Sequence, residues 1–399
     1  MKVLQLCNKP PFPPVDGGTM AMNCIATGLL DAGCTVKVLA VETDKHPACH
    51  ADDPHALQAE METVYIDLRA KPLPAAAAML CGESYHVKRY ISRTFADKLE
   101  QVLAHETFDV VHVESIFLTP YLPLIRRHTQ ADVVLRAHNV EHHIWHQLAR
   151  CTRRPLLRSY YKHLALTLRA YELEHINDYD GIVCISRDDA DFFLRHGCRR
   201  PIATVPFGVE PPTLPATDAA DPCALFHIGS MDWLPNREGI GWLLKTVWPA
   251  IHRAAPAARL YLAGRKMPAR WMNRQDDDGV TIEGEVESAA DFIAGKQINI
   301  VPLLSGSGIR VKIVEAMSLG KTVITTAVGA QGIDYTDGEN ILIANTPDEF
   351  ARHVSRCLDN PLRCRQIGEA AARLVRERYN TGTLTEQLIT FYKRITQPQ

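Results

Sequence analysis

The feature that most constrains this chain is an alternation that stops and then starts again. Short apolar runs of strand length alternate with stretches of helical period up to a proline-rich interruption, and the same pattern resumes beyond it. Lys2–Cys7 reads as a first strand. Thr19–Ala32 reads as a helix with Thr19 at its N-cap and Gly33 just past its end. Thr35–Val41 is a second strand, and Val110–Val113, Val133–Ala137 and Gly181–Ile185 are further short ones with helical stretches between them. The interruption is Val205–Cys223, whose five prolines and small residues have the composition of a linker. Beyond it, Ala224–Ile228, Arg259–Ala263, Val280–Glu283, Ile298–Pro302 and Thr322–Thr325 read as strands. Gly239–Ile251, Val311–Leu319 and Pro347–Leu358 read as helices, and Thr383–Ile395 closes the chain as an amphipathic helix.

Strands separated by helices build parallel sheets covered on both faces. The expected fold class is therefore α/β with two Rossmann-like domains. A length of 399 residues suits two cores better than one. The boundaries fall at residues 1–208, a linker 209–222, a second domain 223–380 and a terminal helix 381–399.

Apolar residues make up 46% and charged residues 23%, a soluble globular balance. A net charge of -2 supplies no global field for nucleic acid, and no nucleic-acid motif is present, so no such partner is expected. The 11 cysteines include no Cys-x-x-Cys pair and are odd in number, which favours reduced thiols over a secreted disulfide framework. The opening residues lack the longer apolar run of a signal peptide, and no stretch is long enough to span a bilayer, so a cytoplasmic setting is expected.

Open parallel sheets bind ligands at the carboxyl ends of their strands. The segment with the most chemistry there is Ile298–Gly320: a strand, the loop Ser305-Gly306-Ser307-Gly308, then a helix. Glycines let a ligand approach the backbone, and a helix start offers unpaired N–H groups to an anion. Arg310 and Lys312 add two full charges. Glu315 shares a helix face with Lys312 and is placed to accept from ribose hydroxyls. These residues fit a nucleotide diphosphate. They fit equally a solvated helix start with a surface charge pair.

The run from Gly308 to Thr326, followed by Gly329 and Gly332, resembles the C-terminal signature of retaining GT-B glycosyltransferases of family 4. Further segments resemble that family in order and spacing. They are Pro14-Val-Asp-Gly-Gly18, Asp180–Ser186, Pro206-Phe-Gly-Val209 and Phe226–Asn236, so the likeness covers essentially the whole chain. The resemblance implies the GT-B fold, two Rossmann-like domains facing across a cleft, with the last helix returning to the first domain. It implies transfer of a sugar, with retention, from a nucleotide-sugar donor, UDP by family habit, to a saccharide or lipid-linked acceptor. The implied setting is bacterial surface polysaccharide, lipopolysaccharide or glycoconjugate synthesis.

Carried over residue by residue, the resemblance gives Glu315 the donor ribose and Arg310 and Lys312 the diphosphate. The loop with Ser307, Gly308 and Ile309 also lines the donor site, as do Gly229 and Ser230 after the first strand of the second domain. Gly17 and Gly18 approach the phosphates or donor sugar from the first domain. His138 matches a cleft histidine near that sugar, and the loop Gly284-Glu-Val286 occupies the nucleobase site. No cofactor and no metal is implied, and no Asp-x-Asp metal handle is seen. Two departures stand out. Ser307 replaces a second glutamate eight residues before Glu315, and the Arg and Lys common after the first strand of the second domain are not evident, with Arg237 the nearest substitute.

Alternatives remain at this level. His138-x-x-Glu141-His142 formally matches an inverted zinc-protease pattern, but His138 ends a strand, whereas that pattern needs one continuous helix. His142, His143 and His146 equally suit a packing or capping cluster. Asp16 reads as either an acceptor contact or a turn residue, and Ser186 with Asp189 as a capping box. Arg150–Arg169, basic with interleaved Leu and Tyr, fits peripheral contact with an anionic inner-membrane surface or an ordinary exposed flank. A nucleotide-sugar epimerase on the same fold and a non-catalytic sugar-nucleotide-binding subunit are the rival functions. A dinucleotide dehydrogenase is disfavoured by the proline-rich Asn8–Gly18, which lacks Gly-x-Gly-x-x-Gly.

Overall fold

Each strand–helix–strand step carries the chain back to the same end of its sheet, which forces neighbouring strands to run parallel. The computed structural model describes residues 1–48, 54–152, 154–209, 220–273, 278–306 and 308–396, and every named strand pair in it is parallel. The chain divides into two units, Met1–Gly208 joined by Thr381–Gln399, and Val209–Asn380.

The first unit holds β1 (Lys2–Cys7), β2 (Thr35–Glu42), β3 (Glu62–Tyr65), β4 (Val110–Val113), β5 (Asp132–Ala137), β6 (Gly181–Cys184) and β7 (Ile202–Thr204). Their order across the sheet is β3-β2-β1-β4-β5-β6-β7. The second unit holds β8 (Asp221–Ile228), β9 (Arg259–Ala263), β10 (Val280–Gly284), β11 (Lys296–Val301), β12 (Thr322–Thr325) and β13 (Leu342–Ile343), in the order β10-β9-β8-β11-β12-β13. In both sheets the winding reverses next to the first strand, between β1 and β4 and between β8 and β11. Loops leaving those strands diverge to opposite faces, and the gap at their carboxyl ends is where such sheets hold ligands.

Alternate residues of each strand feed opposite cores. Leu4 and Leu6 of β1 pack with Phe95, Leu99 and Leu118, while Val3 and Cys7 pack with Met22, Ile25 and Leu29 of helix Gly17–Asp31. The returning helix Thr381–Thr396 covers that second face through Leu384, Leu388, Phe391 and Tyr392, whose spacing places them on one stripe. Each such burial stabilises by roughly 1.5–3 kcal/mol. Gly28 makes the helix pair possible, since a Cβ there would lie 2.2 Å from Thr385 Oγ1.

The structure corrects several expectations. The first helix starts at Gly17 with Asp16 as N-cap, not at Thr19. The helix expected over Gly239–Ile251 is Leu234–Trp242, a π turn Leu243–Val247 and Trp248–Ala254. Pro249 has no N–H to continue an α pattern, and the turn before it widens. β8 begins at Asp221, inside the stretch taken as linker, and residues 210–219 of that stretch lie outside the described residues. The short strands β3, β7 and β13 carry too little periodicity to be read beforehand.

Candidate functional site

In the second unit, the loops after β8 and β11 meet the start of helix Val311–Ser318. Arg310 is the N-cap residue of that helix, in extended conformation, and its own side chain makes no capping bond. A helix start presents N–H groups without an intrahelical partner and a positive dipole end, and both suit an anionic ligand.

Lys312 reaches back from the first turn under the β8 loop. Its ammonium donates to Asn236 Oδ1 and to His227 Nε2, the latter at 3.2 Å. His227 Nδ1–H donates to the Ile300 carbonyl at 2.7 Å, and with Nε2 accepting from the ammonium the imidazole is neutral. Burial and the neighbouring ammonium hold His227 well below its ordinary pKa. Asn236 is oriented in turn by donating to the Ser230 carbonyl at 2.8 Å. Lys312 thus has neutral partners, and no carboxylate among the described residues pairs with it. Burial, then the Arg310 charge, lowers its pKa to about 7. A buried cation without a counter-charge is costly unless an anion arrives.

Arg310 is 5% exposed, lies over the Trp233 ring at 5.4 Å and donates to the Gly308 carbonyl. Burial lowers its pKa to about 10. Gly306 permits this stacking: at its φ of +124°, a Cβ would lie 2.8 Å from Arg310 Nη2 and 3.1 Å from Trp233. Backbone approach also shapes the floor, because a Cβ on Gly264 would lie 1.9 Å from the Gly229 carbonyl oxygen. A Cβ on Gly229 itself would meet Asn236 and Lys312 at 2.9 and 3.1 Å. Glu315, one turn beyond Lys312, is largely enclosed, and burial raises its pKa. Among the described residues no side chain donates to its carboxylate. Ser230, Gly308 and Ile309 are half-buried around this loop system. Gly284 is buried at the end of β10 and accepts from Gly264 N–H at 2.6 Å, with Val286 half-buried two residues on. Ser307 lies outside the described residues. Arg237 is exposed, and its neighbour Asn236 is the residue that meets Lys312.

The first unit has a different arrangement. Asp16 accepts from Gly18 and Thr19 N–H at 3.0 and 2.9 Å, while Thr19 Oγ1 accepts from Asp16 N–H at 2.8 Å. Lys9 and His46 bind the same carboxylate at 2.6 and 3.0 Å. Burial works against that charge, but His46 and Lys9 hold the Asp16 carboxyl far below the usual range. Gly18 is packed under Lys9, whose Nζ would lie 2.7 Å from an added Cβ, and Gly17 is exposed. The anion at this helix start is the chain's own Asp16, so of its two readings the turn role is the one the geometry displays.

His138 follows β5 directly, and its Nε2 lies 2.8 Å from Glu114 Oε2 at the end of β4. His142 Nδ1 instead pairs with Glu172 at 2.6 Å, and Glu172 also accepts from Glu141 and His142 N–H. Glu172 thereby caps helix Glu141–Cys151, and the two histidines serve separate carboxylates. The helix begins at Glu141, so His138 and His142 do not share one.

Sequence reasoning missed His227, Asn236 and Glu114. The available signal was a polar residue at or just past the end of a buried strand, in Leu225-Phe-His-Ile228 and in Val111-His-Val-Glu114.

The family comparisons point the same way. A glycosyl transferase 4-like domain model matches residues 16–208, and a glycosyl transferases group 1 model matches residues 222–360. A protein in the cps region of Klebsiella pneumoniae, described as uncharacterized, is 23% identical over 298 residues, 71% of this chain and 74% of that protein. Among solved structures, HepE of Anabaena in complex with UDP superimposes with a TM-score of 0.69 at 14% identity, covering 99% of this chain and 100% of that one. The lipopolysaccharide outer core galactosyltransferase WaaB, in its apo form, gives 0.64 at 12% identity over 99% and 100% of the two chains.

Proposed function

Because the chain belongs to the glycosyl transferases group 1 family and is a GT-B glycosyltransferase, we propose that it transfers a sugar from a UDP-sugar to a hydroxyl acceptor with retention. The observation that carries the donor reading is Lys312, an ammonium held by neutral partners in the first turn of a helix. A diphosphate supplies the missing negative charge. As the glycosidic bond to the diphosphate breaks, negative charge grows on the departing phosphate. Lys312, Arg310 and the helix N–H groups are positioned to stabilise that charge, and this chemistry calls for no metal ion. Glu315 accepts from the ribose hydroxyls, the Gly284–Val286 loop lies at the base, and His138 contacts the transferred sugar.

The acceptor proposed is a saccharide or lipid-linked glycan of a bacterial surface polysaccharide. The K. pneumoniae relative in a cps region and the likeness to a lipopolysaccharide galactosyltransferase support that setting. We place the enzyme in the cytoplasm, with peripheral contact at the membrane. On helix Pro155–His175, Leu156 and Leu166 are 87% and 67% exposed beside exposed Arg154, Arg158 and Lys162. No helix among the described residues is long and apolar enough to cross a membrane. Flotation with liposomes containing anionic lipid should carry the protein upward, and an unchanged position would end the membrane claim.

The deciding test is turnover. UDP-sugars identified by thermal shift, incubated with a saccharide and lipid-linked acceptor extract, should release UDP only when acceptor is present, and the product should keep the donor's anomeric configuration by NMR. Donor converted without acceptor would indicate an epimerase. Binding of UDP-sugar with no turnover would indicate a binding subunit.

A further inference from the structure

Glu114 is a carboxylate with no solvent exposure, on the face of the first sheet covered by helices Gly17–Asp31 and Thr381–Thr396. Around it sit groups that a core would normally exclude. Gln5 Nε2 donates to Glu114 Oε1 at 2.6 Å, and His112 Nε2 lies 3.2 Å from the same oxygen. His138 Nε2 lies 2.8 Å from the other oxygen. Arg136, fully buried on the neighbouring strand, adds a guanidinium that feels the Glu114 charge. Tyr392, from the far end of the chain, closes the set with its hydroxyl 2.5 Å from His112 Nδ1. Burial alone would raise the Glu114 carboxyl, but His112 and His138 hold it below the ordinary carboxylate range, so it is an anion.

A buried carboxylate costs several kcal/mol to desolvate and is poor value as mere packing. Its location is informative. β4 is one of the two strands at the switch point of this sheet, and His138 follows the adjacent β5. An ionised carboxylate only accepts, so the bond to His138 fixes the proton on Nε2. The other ring nitrogen, Nδ1, makes no hydrogen bond to any described residue. His138 lines a small cavity with Ser115, Glu141 and Phe193. Burial holds the ring below its ordinary pKa against the pull of Glu114, and Arg136 and Lys9 push the same way as burial, so the imidazole is neutral near pH 7.

We propose that Glu114 is the positioning residue of His138, locking it as the Nε2–H tautomer so that Nδ1 accepts a hydrogen bond from a hydroxyl of the transferred sugar, and that Tyr392 of the returning helix braces Glu114 through His112. This rests on His138 being a sugar contact, as put forward above. Glutamate–histidine pairing is the device metal and acyl-transfer sites use to choose which nitrogen faces the reaction, and here it chooses which nitrogen faces a hydroxyl.

Nitrogen-15 histidine NMR on the full chain tests the tautomer without any assay of activity. With His138 assigned from the signals lost in His138→Asn, the wild type should show a protonated Nε2 and a bare Nδ1. Glu114→Gln should move His138 toward a mixture of tautomers, and Tyr392→Phe should do so more weakly. A protonated Nδ1 in the wild type, or signals untouched by Glu114→Gln, would overturn the proposal. Calorimetry with UDP and UDP-glucose supplies the functional arm. Glu114→Gln should lower affinity for UDP-glucose roughly tenfold and leave UDP unchanged, as expected for one directed hydrogen bond. Equal losses for both ligands would mean a structural role only. Equal wild-type affinities for UDP and UDP-glucose would instead sink the sugar-contact reading, and with it the acceptor role of Nδ1, while the NMR result still judges the Glu114–His138 lock. Should Glu114→Gln fail to fold, the wild-type tautomer and the Tyr392→Phe shift decide.

Discussion

Two helix starts, each with glycines close by at the switch point of a parallel sheet, have opposite electrostatic outcomes. At Gly17–Asp31 the chain supplies its own anion. Asp16 takes two backbone N–H groups, is paired with the Lys9 ammonium and is bonded by His46. At Val311–Ser318 the N-cap residue Arg310 makes no side-chain capping bond and is buried, and Lys312 is held by two neutral partners. The first arrangement is complete without a ligand. The second holds Lys312 by neutral groups, with no carboxylate paired to it among the described residues. A glycine loop before a helix is thus a weak indicator by itself, and the difference lies in whether a local carboxylate already occupies the helix end.

The comparison can be pressed with three perturbations, taken from the largest effect downward. Glu315→Ala removes the carboxylate proposed to accept from the ribose and should weaken UDP binding by about 2 kcal/mol, roughly 30-fold, because hydrogen bonds to a charged acceptor are the stronger kind. Unchanged affinity by calorimetry would remove the ribose role. Next comes pH. Lys312 has a pKa of about 7 in the free protein, against an ordinary 10.5, and a bound diphosphate returns it toward the ordinary value. The complex then holds more protons than the free protein above pH 7, so affinity should fall as pH rises, by roughly tenfold between pH 7 and 8.5. Calorimetry in buffers of different ionisation enthalpy should show proton uptake, and proton release would contradict the assignment. Smallest is Asp16→Ala, which removes a cap and should cost about 1 kcal/mol of stability, read as a lower unfolding midpoint. UDP affinity should stay as in the wild type, and a large loss would mean that this first helix start is also a ligand site.

What could be read beforehand was set by local pattern. The interior strands of both sheets and the helix after Gly308 carry runs of β-branched and apolar residues or a clear helical period, and all are found close to where the residues place them. Asp16 and Thr19 form a reciprocal capping box in which each accepts from the other's backbone, so composition alone does not say which one begins the helix. The partners of Lys312 lie 85 and 76 residues away at His227 and Asn236, and only the register of β8 against β11 brings them together. The same holds for Glu114 and His138, which meet because β4 and β5 are neighbours. Long-range pairing of single polar residues leaves no period in a sequence. The position of His138 directly after its strand was legible, whereas its orientation was not, since that depends on Glu114.

The central claim is that the second unit holds a nucleoside diphosphate against Lys312. Calorimetric titration of UDP and of uridine into wild type and Lys312→Ala tests it most directly. The variant should bind UDP roughly 30-fold more weakly, the loss of about 2 kcal/mol expected when one partner of a buried charge pair is removed, and should bind uridine as the wild type does. Equal losses for UDP and uridine, or UDP affinity unaffected by the substitution, would contradict the account.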